Sequence, residues 1–232
     1  LSNILCLKFP TEKIKKLFLD GYKSKNGKEF SENLPNITEW KPSTDLNSMV
    51  KDSKKVRITA LYKDEDIKSL KELLKYGLKG MAAYADHAHI LGEKDEEVIS
   101  FFYKGLAALA DESLSVDDLV KLNMEFGQVN LKCMGILNKG HITHFGKPTP
   151  TKVSIGVKKG PCILISGHDL LDLEALLKQT EGKGINIYTH GEMIPAHGYP
   201  ELKKYKHLVG NYGSAWQHQR KEFETFPGAT LM

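Results

Sequence analysis

His168 and Glu192 are the residues of this 232-residue chain whose types and setting point most directly to chemistry. Each follows a short, mostly apolar run that reads as a β-strand: Cys162 to Ser166, bounded by Gly167, and Ile185 to Thr189. Between the two runs Asp169 stands where a helix N-cap belongs, Leu170, Leu173, Leu176 and Leu177 recur at helical spacing, and Gly182 and Gly184 supply the stop. Strand, helix and strand make a βαβ unit, whose right-handed crossover sets the strands parallel and puts any site at their carboxyl ends. Residues 24 apart in sequence then become near neighbours, because paired strands lie about 4.8 Å apart. An imidazole beside a carboxylate suits iron or zinc, or a proton relay in which one group accepts and the other donates. Spacing alone leaves a third reading open, an ordinary polar pair at two strand ends.

Other candidate groups carry less. His87 and His89 are two apart on a helix and share no face, which fits packing or surface roles better than ligation. His141 and His144 fall in a stretch that reads as a linker, where a metal would need further partners. His190 and His197 flank Glu192 as a possible relay or as structural histidines. Tyr199, Tyr205, Tyr212 and Trp216 suit either a pocket wall or a core. Neither GxGxxG nor GxxxxGK[ST] occurs, so no nucleotide-phosphate signature is present.

Composition bounds the function classes. With 41% hydrophobic residues the chain has apolar surface for one large or two modest domains. The net charge is +4, from 33 basic and 29 acidic residues, and the lysines are scattered, which does not indicate nucleic-acid binding. Cys6, Cys133 and Cys162 make no CxxC spacing, so neither a disulfide framework nor a self-contained zinc or iron–sulfur site is encoded, and buried free thiols are expected at Cys133 and Cys162. No apolar run reaches membrane-spanning length and none resembles a signal-peptide core, so a cytoplasmic location is expected. The first residue is Leu and Gly228 to Met232 reads as the opening of another strand, so the sequence reads as cut at both ends.

The elements that must position the pair follow from periodicity. Thr11 reads as the cap of a short helix with Ile14, Leu17 and Phe18 inward, ending near Gly21 or Gly27, and turn residues at Asn33 to Asn36 and Lys41 to Ser43 mark a loop. From Asp64, Ile67, Leu70, Leu74, Leu78, Met81, Ala85 and Ala88 trace a long amphipathic helix closed by Gly92. A second helix runs from Asp95 to Ala110 with Val98, Phe101, Phe102, Leu106 and Leu109 as its apolar face. Ser115 and Asp118 then read as a capping box opening a third, through Leu119, Leu122, Phe126, Val129 and Leu137. Short connections imply an antiparallel helical bundle. Asn138 to Pro150 reads as the domain boundary, dividing a helical domain, 1–147, from an incomplete α/β domain, 148–232. In the latter, Lys152 to Val157 reads as a lead-in strand, His207 to Tyr212 as a third strand and Trp216 to Phe226 as a helix. The fold class is therefore α plus α/β, a helical bundle followed by the first part of a Rossmann-like parallel domain.

These residues also carry a resemblance. The run GHDLLDLEALLKQTEGKGINIYTHGEMIPAHGYPELKKYKHLVGNYGSAWQHQRKEF closely resembles the hybrid-cluster, or prismane, proteins known as hydroxylamine reductases. LLKYGLKGMAAYADHAHILG and SVDDL…NLKCM look like the same family's helical domain, so the resemblance spans roughly residues 65–232. It implies an oxygen-sensitive 4Fe–2O–2S hybrid cluster that reduces hydroxylamine to ammonia or nitric oxide to nitrous oxide, a second iron–sulfur cluster, an electron-donor protein and a role in nitrosative stress. In that family the His of GHD and the Glu of HGEM bind the hybrid cluster, which transfers to His168 and Glu192, with Glu192 as the catalytic group that alternates between ligation and proton transfer. His168 would be the fixed ligand, its other nitrogen oriented by a partner such as Asp169. The family's cysteine ligands, its further Glu and Lys, and its N-terminal cysteine motif have no counterpart here, so the chain by itself is expected to hold no cluster. Two alternatives remain: a degenerate scaffold serving as a binding module, and a relative of the nickel carbon monoxide dehydrogenases, which the unbroken HGEMIPAHGYPEL run disfavours.

Overall fold

The computed structural model describes residues 2–31, 45–54 and 62–232. They fall into two compact units, Leu1–Gly80 with Ile99–Val129, and Met81–Val98 with Asn130–Met232. The expected loop residues Asn33 to Asn36 and Lys41 to Ser43 lie outside the described residues.

Among the described residues five helices come first: α1 (Ser2–Asn26), α2 (Leu46–Ser53), α3 (Glu65–Ile90), α4 (Glu96–Ala110) and α5 (Val116–Phe145). Helices α2 to α5 start where short polar side chains satisfy the first free amides. Asp64 Oδ1 accepts from the amides of Asp66 and Ile67 at 2.9 Å each, and Asp95 Oδ1 from those of Glu97 and Val98 at 3.0 and 3.2 Å. The Ser115–Asp118 box is reciprocal: the Asp118 amide donates to Ser115 Oγ at 3.2 Å and the Ser115 amide to Asp118 Oδ2 at 3.1 Å.

Four expectations about the helices need correction. Helix α1 passes through Thr11 instead of starting there, the three-and-four spacing of apolar residues continuing upstream in the sequence at Ile4 and Leu7. Leu17 and Phe18 are exposed, and Phe18 stacks edge-on against Phe30 with ring centroids 5.2 Å apart. On α4 the buried stripe runs Val98, Phe101, Gly105, Ala108, and Leu106 points to solvent at 58% exposure. The reason is the close approach at Gly105, where a Cβ would sit 2.9 Å from Leu78 Cδ1. Finally, α5 continues through His141 and His144 to Phe145, where the sequence reads as linker. Gly140 is a contact residue there and not a breaker, since a Cβ at that position would meet Leu91 Cβ at 3.2 Å.

The second unit holds four parallel strands, β1 (Cys162–Ile165), β2 (Asn186–His190), β3 (Leu208–Tyr212) and β4 (Ala229–Leu231), in the order β3-β2-β1-β4. Helix α6 (Leu170–Thr180) makes the β1-to-β2 crossover, a 3-10 turn (Gly191–Gly198) and α7 (Pro200–Lys203) lead to β3, and a second 3-10 turn (Trp216–His218) with α8 (Gln219–Thr225) leads to β4. Both faces are covered. Ile165 and Ile187 pack with Leu173, Leu177, Met193 and Leu202 on one side, and Leu164 and Tyr188 pack with Phe226 on the other. The period-two alternation along β1 thus feeds two cores.

Lys152 to Val157 forms no strand, contrary to the sequence reading. It lies beside β3 with a backbone bond from the Asn211 amide to the Ser154 carbonyl at 2.8 Å, while Ile155 and Val157 face solvent. With Ile155 and Val157 in solvent and only Val153 half-buried, little drives the segment into a ladder.

Candidate metal centre

The order β3-β2-β1-β4 places a topological switch point between β1 and β4, since the chain leaves β1 on one side and returns on the other. In open parallel sheets, ligands bind at such a point, outside the carboxyl ends of the strands. The parallel register pairs Ile165 with Thr189, so the next three positions of each strand end run side by side as Ser166 with His190, Gly167 with Gly191, and His168 with Glu192. Gly167 and Gly191 adopt φ of 107° and 54°, turning both chains at the same level.

His168 and Glu192 come together there, with the imidazole Nε2 against the carboxylate Oε2. Their side chains are 58% and 57% exposed, and both line an open cavity of about 370 Å³ that also takes in Trp216, Gln219 and Met232. The Asp169 side chain bonds to the start of α6 and not to His168, its Oδ1 accepting from the Leu171 amide at 2.7 Å and the Asp172 amide at 3.4 Å.

Beneath the exposed pair lies a buried one that the sequence reading left as either relay or structure. His190 is 1% exposed, with Nδ1 at 3.0 Å from Ser166 Oγ and Nε2 at 2.8 Å from Glu222 Oε2 on α8. Glu222 is fixed in turn by Ser214, whose amide and hydroxyl donate to Oε1 at 3.0 and 2.7 Å. His197 is buried against Thr189 Oγ1 at 2.9 Å and burial lowers its pKa, so it belongs to the interior. The signal that could have found Ser166 was present: it stands 24 residues before His190, the same interval as His168 to Glu192. Glu222 and Ser214 had no such signal, because α8 and the turn after β3 supply their placement.

The Ser214 hydroxyl, ahead of His190 and the Ser214 amide and against the effect of burial, lowers the Glu222 carboxyl from 4.5 to about 2. A carboxyl depressed in the folded state contributes stability that is complete above its unfolded value and lost as pH falls through the folded one. Glu222→Gln is therefore expected to cost about 1–3 kcal/mol at neutral pH. It should also flatten the loss of stability between pH 4.5 and about 2. Urea unfolding of both proteins across that window checks it, and parallel pH profiles would contradict it.

The remaining candidates do not join the centre. His144 pairs with Glu174 at 3.1 Å, while His87 and His141 face a space of about 10 Å³, room for one water. Tyr199 and Tyr205 are core residues and Tyr212 packs on Phe226 at 5.0 Å, leaving Trp216 as the aromatic at the cavity. Cys133 is buried, its thiol at 3.6 Å from the Met81 carbonyl and its pKa raised by burial. Cys162 is partly buried at the opposite end of β1 from His168.

This donor set can be tested against a metal. The pair offers nitrogen and oxygen to an open cavity, which suits iron. Among the described residues, no group of three or more His, Cys, Asp or Glu is placed to hold a metal ion, and no helix is long and apolar enough to cross a membrane. The residues fit as a two-ligand share of a larger site.

Fold and site together define an α plus α/β protein with an imidazole–carboxylate pair at the carboxyl ends of β1 and β2, beside the switch point of a parallel sheet. The chain belongs to the Prismane/CO dehydrogenase family, whose model matches residues 6–232. It is 54% identical to the hydroxylamine reductase of Geobacter metallireducens over 220 residues, 95% of this chain and 40% of that protein. With the hydroxylamine reductase of Halothermothrix orenii it shares 51% over 221 residues, and with that of Desulfitobacterium hafniense 59% over 169 residues, which is 73% of this chain and 31% of that protein. The chain thus spans about 40% of the length of the first two relatives.

Proposed function

We propose that the full-length protein is a hybrid-cluster oxidoreductase that reduces hydroxylamine to ammonia, or nitric oxide, and that His168 and Glu192 are its nitrogen and oxygen ligands to the hybrid cluster. The observation that carries the reading is the convergence of these two side chains, both accessible, at the carboxyl ends of β1 and β2 beside the switch point of the sheet. Membership of a family whose matched relatives are hydroxylamine reductases supports it. When bound, the cluster supplies electrons and an open iron position for reduction of the nitrogen–oxygen bond.

His168 would hold the cluster as the fixed member, standing directly before the α6 cap. Glu192 sits on the turn after β2 and moves or holds a proton at its carboxylate oxygens. Trp216 and Met232 line the cavity, and the reading assigns it a small nitrogen-oxide substrate. The reading further includes an electron-donor protein, a second iron–sulfur cluster in the full-length protein, a cytoplasmic location, a role under nitrosative stress, and a helical domain meeting the cluster domain near residue 148.

Because iron–sulfur clusters need thiolates, two nitrogen–oxygen ligands do not hold one alone. The chain 1–232 by itself is therefore proposed to bind no cluster and to be inactive. Anaerobic iron and sulfide analysis decides the matter. Near-stoichiometric iron and sulfide are expected in the full-length protein and none in the isolated chain. Stoichiometric iron on 1–232 would overturn the claim for the chain, and an iron-free, inactive full-length protein would overturn the functional reading.

A further inference from the structure

We propose that His190 is a positioning residue for the His168–Glu192 pair, a buried brace that ties the end of β1 to α8 and fixes how far apart the two ligand-bearing turns stand. The proposal rests on the reading of His168 and Glu192 as metal ligands.

Three observations carry it. First, the brace and the pair are in register, two levels apart: Ser166 and His190 precede His168 and Glu192 by two residues each. Only Gly167 and Gly191 intervene, at φ of 107° and 54°. Glycine gives these turns no side chain of their own to set the geometry, so the level below must set it. Second, both ring nitrogens of His190 are engaged. A carboxylate can only accept, so Nε2–H donates to Glu222 at 2.8 Å, which leaves Nδ1 for the Ser166 hydroxyl at 3.0 Å. With Glu222 held by two donors from Ser214, the chain of bonds runs unbroken from β1 to α8. Third, the brace is sterically closed. Gly213, at φ of 76°, lies against it so tightly that a Cβ there would meet His190 Cδ2 at 2.7 Å and Glu222 Oε2 at 2.8 Å. Phe223 closes the ring from α8, its centroid 4.9 Å from that of His190.

A ring hydrogen-bonded at both nitrogens and closed in by its neighbours has one orientation. That orientation is transmitted two residues along each strand to the groups facing the cavity. Metal affinity depends on such supporting contacts because a ligand held off-angle loses part of its bond.

The test uses the full-length, cluster-loaded protein in four variants, Ser166→Ala, Ser166→Thr, Glu222→Gln and His168→Ala, read by iron content, the electron paramagnetic resonance spectrum and thermal midpoint. Ser166→Ala and Glu222→Gln are expected to hold the cluster roughly 10- to 100-fold more weakly and to alter the spectrum of the cluster that remains. Ser166→Thr keeps the hydroxyl and should restore the wild-type spectrum. A merely structural role would lower the thermal midpoint and leave the spectrum of the loaded fraction unchanged. Wild-type spectra and iron content in both Ser166→Ala and Glu222→Gln, with the cluster lost in His168→Ala, would overturn the brace alone. Full iron and an unchanged spectrum in His168→Ala would overturn the ligand reading, and the brace with it. If Ser166→Ala fails to fold, Glu222→Gln decides by the same criterion.

Discussion

Glu192→Gln in the full-length protein is expected to lower hydroxylamine turnover by more than about 100-fold while leaving the fold intact. The substitution keeps the shape and a hydrogen-bonding oxygen, so the contact with His168 is not emptied. It removes the charge that makes the carboxylate a metal ligand and the basic site that takes up a proton. Stability is insulated because the side chain is 57% exposed, and substitutions at such positions stay within about 0.5 kcal/mol. The check is a pair of measurements on one preparation, hydroxylamine consumption with a reduced electron donor and the thermal midpoint. Unchanged hydroxylamine reduction would remove Glu192 from the mechanism. Loss of activity together with a large fall in midpoint would mean that the residue supports the fold instead.

The pair was legible in the sequence for a reason that can be stated. A βαβ unit has a fixed hand and a fixed strand spacing, so the residues after its two strands are neighbours once the strands are recognised. The glycine stops and the Asp169 cap made that recognition local. What was not legible depended on closure over longer distances. The switch point beside His168 exists only because β4 pairs with β1, and Glu222 reaches His190 only because α8 covers the far face of the sheet. Neither fact is written in a periodicity.

The misread apolar faces have a related cause. Leu106 is apolar and correctly spaced from Phe102, yet Gly105 faces the interior, because the helices approach closest where the side chain is smallest. A hydrophobicity pattern ranks glycine as a gap, whereas packing treats it as a contact. Gly140 within α5 repeats the lesson, and the same misjudgement ended that helix at Leu137 in the sequence reading.

Leu173→Ala should be the most destabilising single truncation behind the site, at about 3–5 kcal/mol. Leu173 has no exposed surface and packs in the cluster that holds Ile165 of β1 and Ile187 of β2, so removal of three carbons leaves a cavity bounded by a sheet and its own crossover helix. Sheet and helix are both fixed at their ends, which limits collapse. Leu176 shares the helix and the sequence pattern but is only partly buried, and Leu176→Ala should cost about 1 kcal/mol. Leu173→Met, close in volume, should cost less than about 1.5 kcal/mol. The consequence reaches the candidate centre because α6 begins at Leu170, two residues after His168, and its first turn is tied by the Asp169 cap. A loosened α6 opens locally at lower free energy, so the Leu171 and Asp172 amides should exchange faster than those of β2 in the same variant. Urea unfolding and amide hydrogen exchange together make the check. Equal costs for Leu173→Ala and Leu176→Ala would show that α6 presents a different face to the sheet.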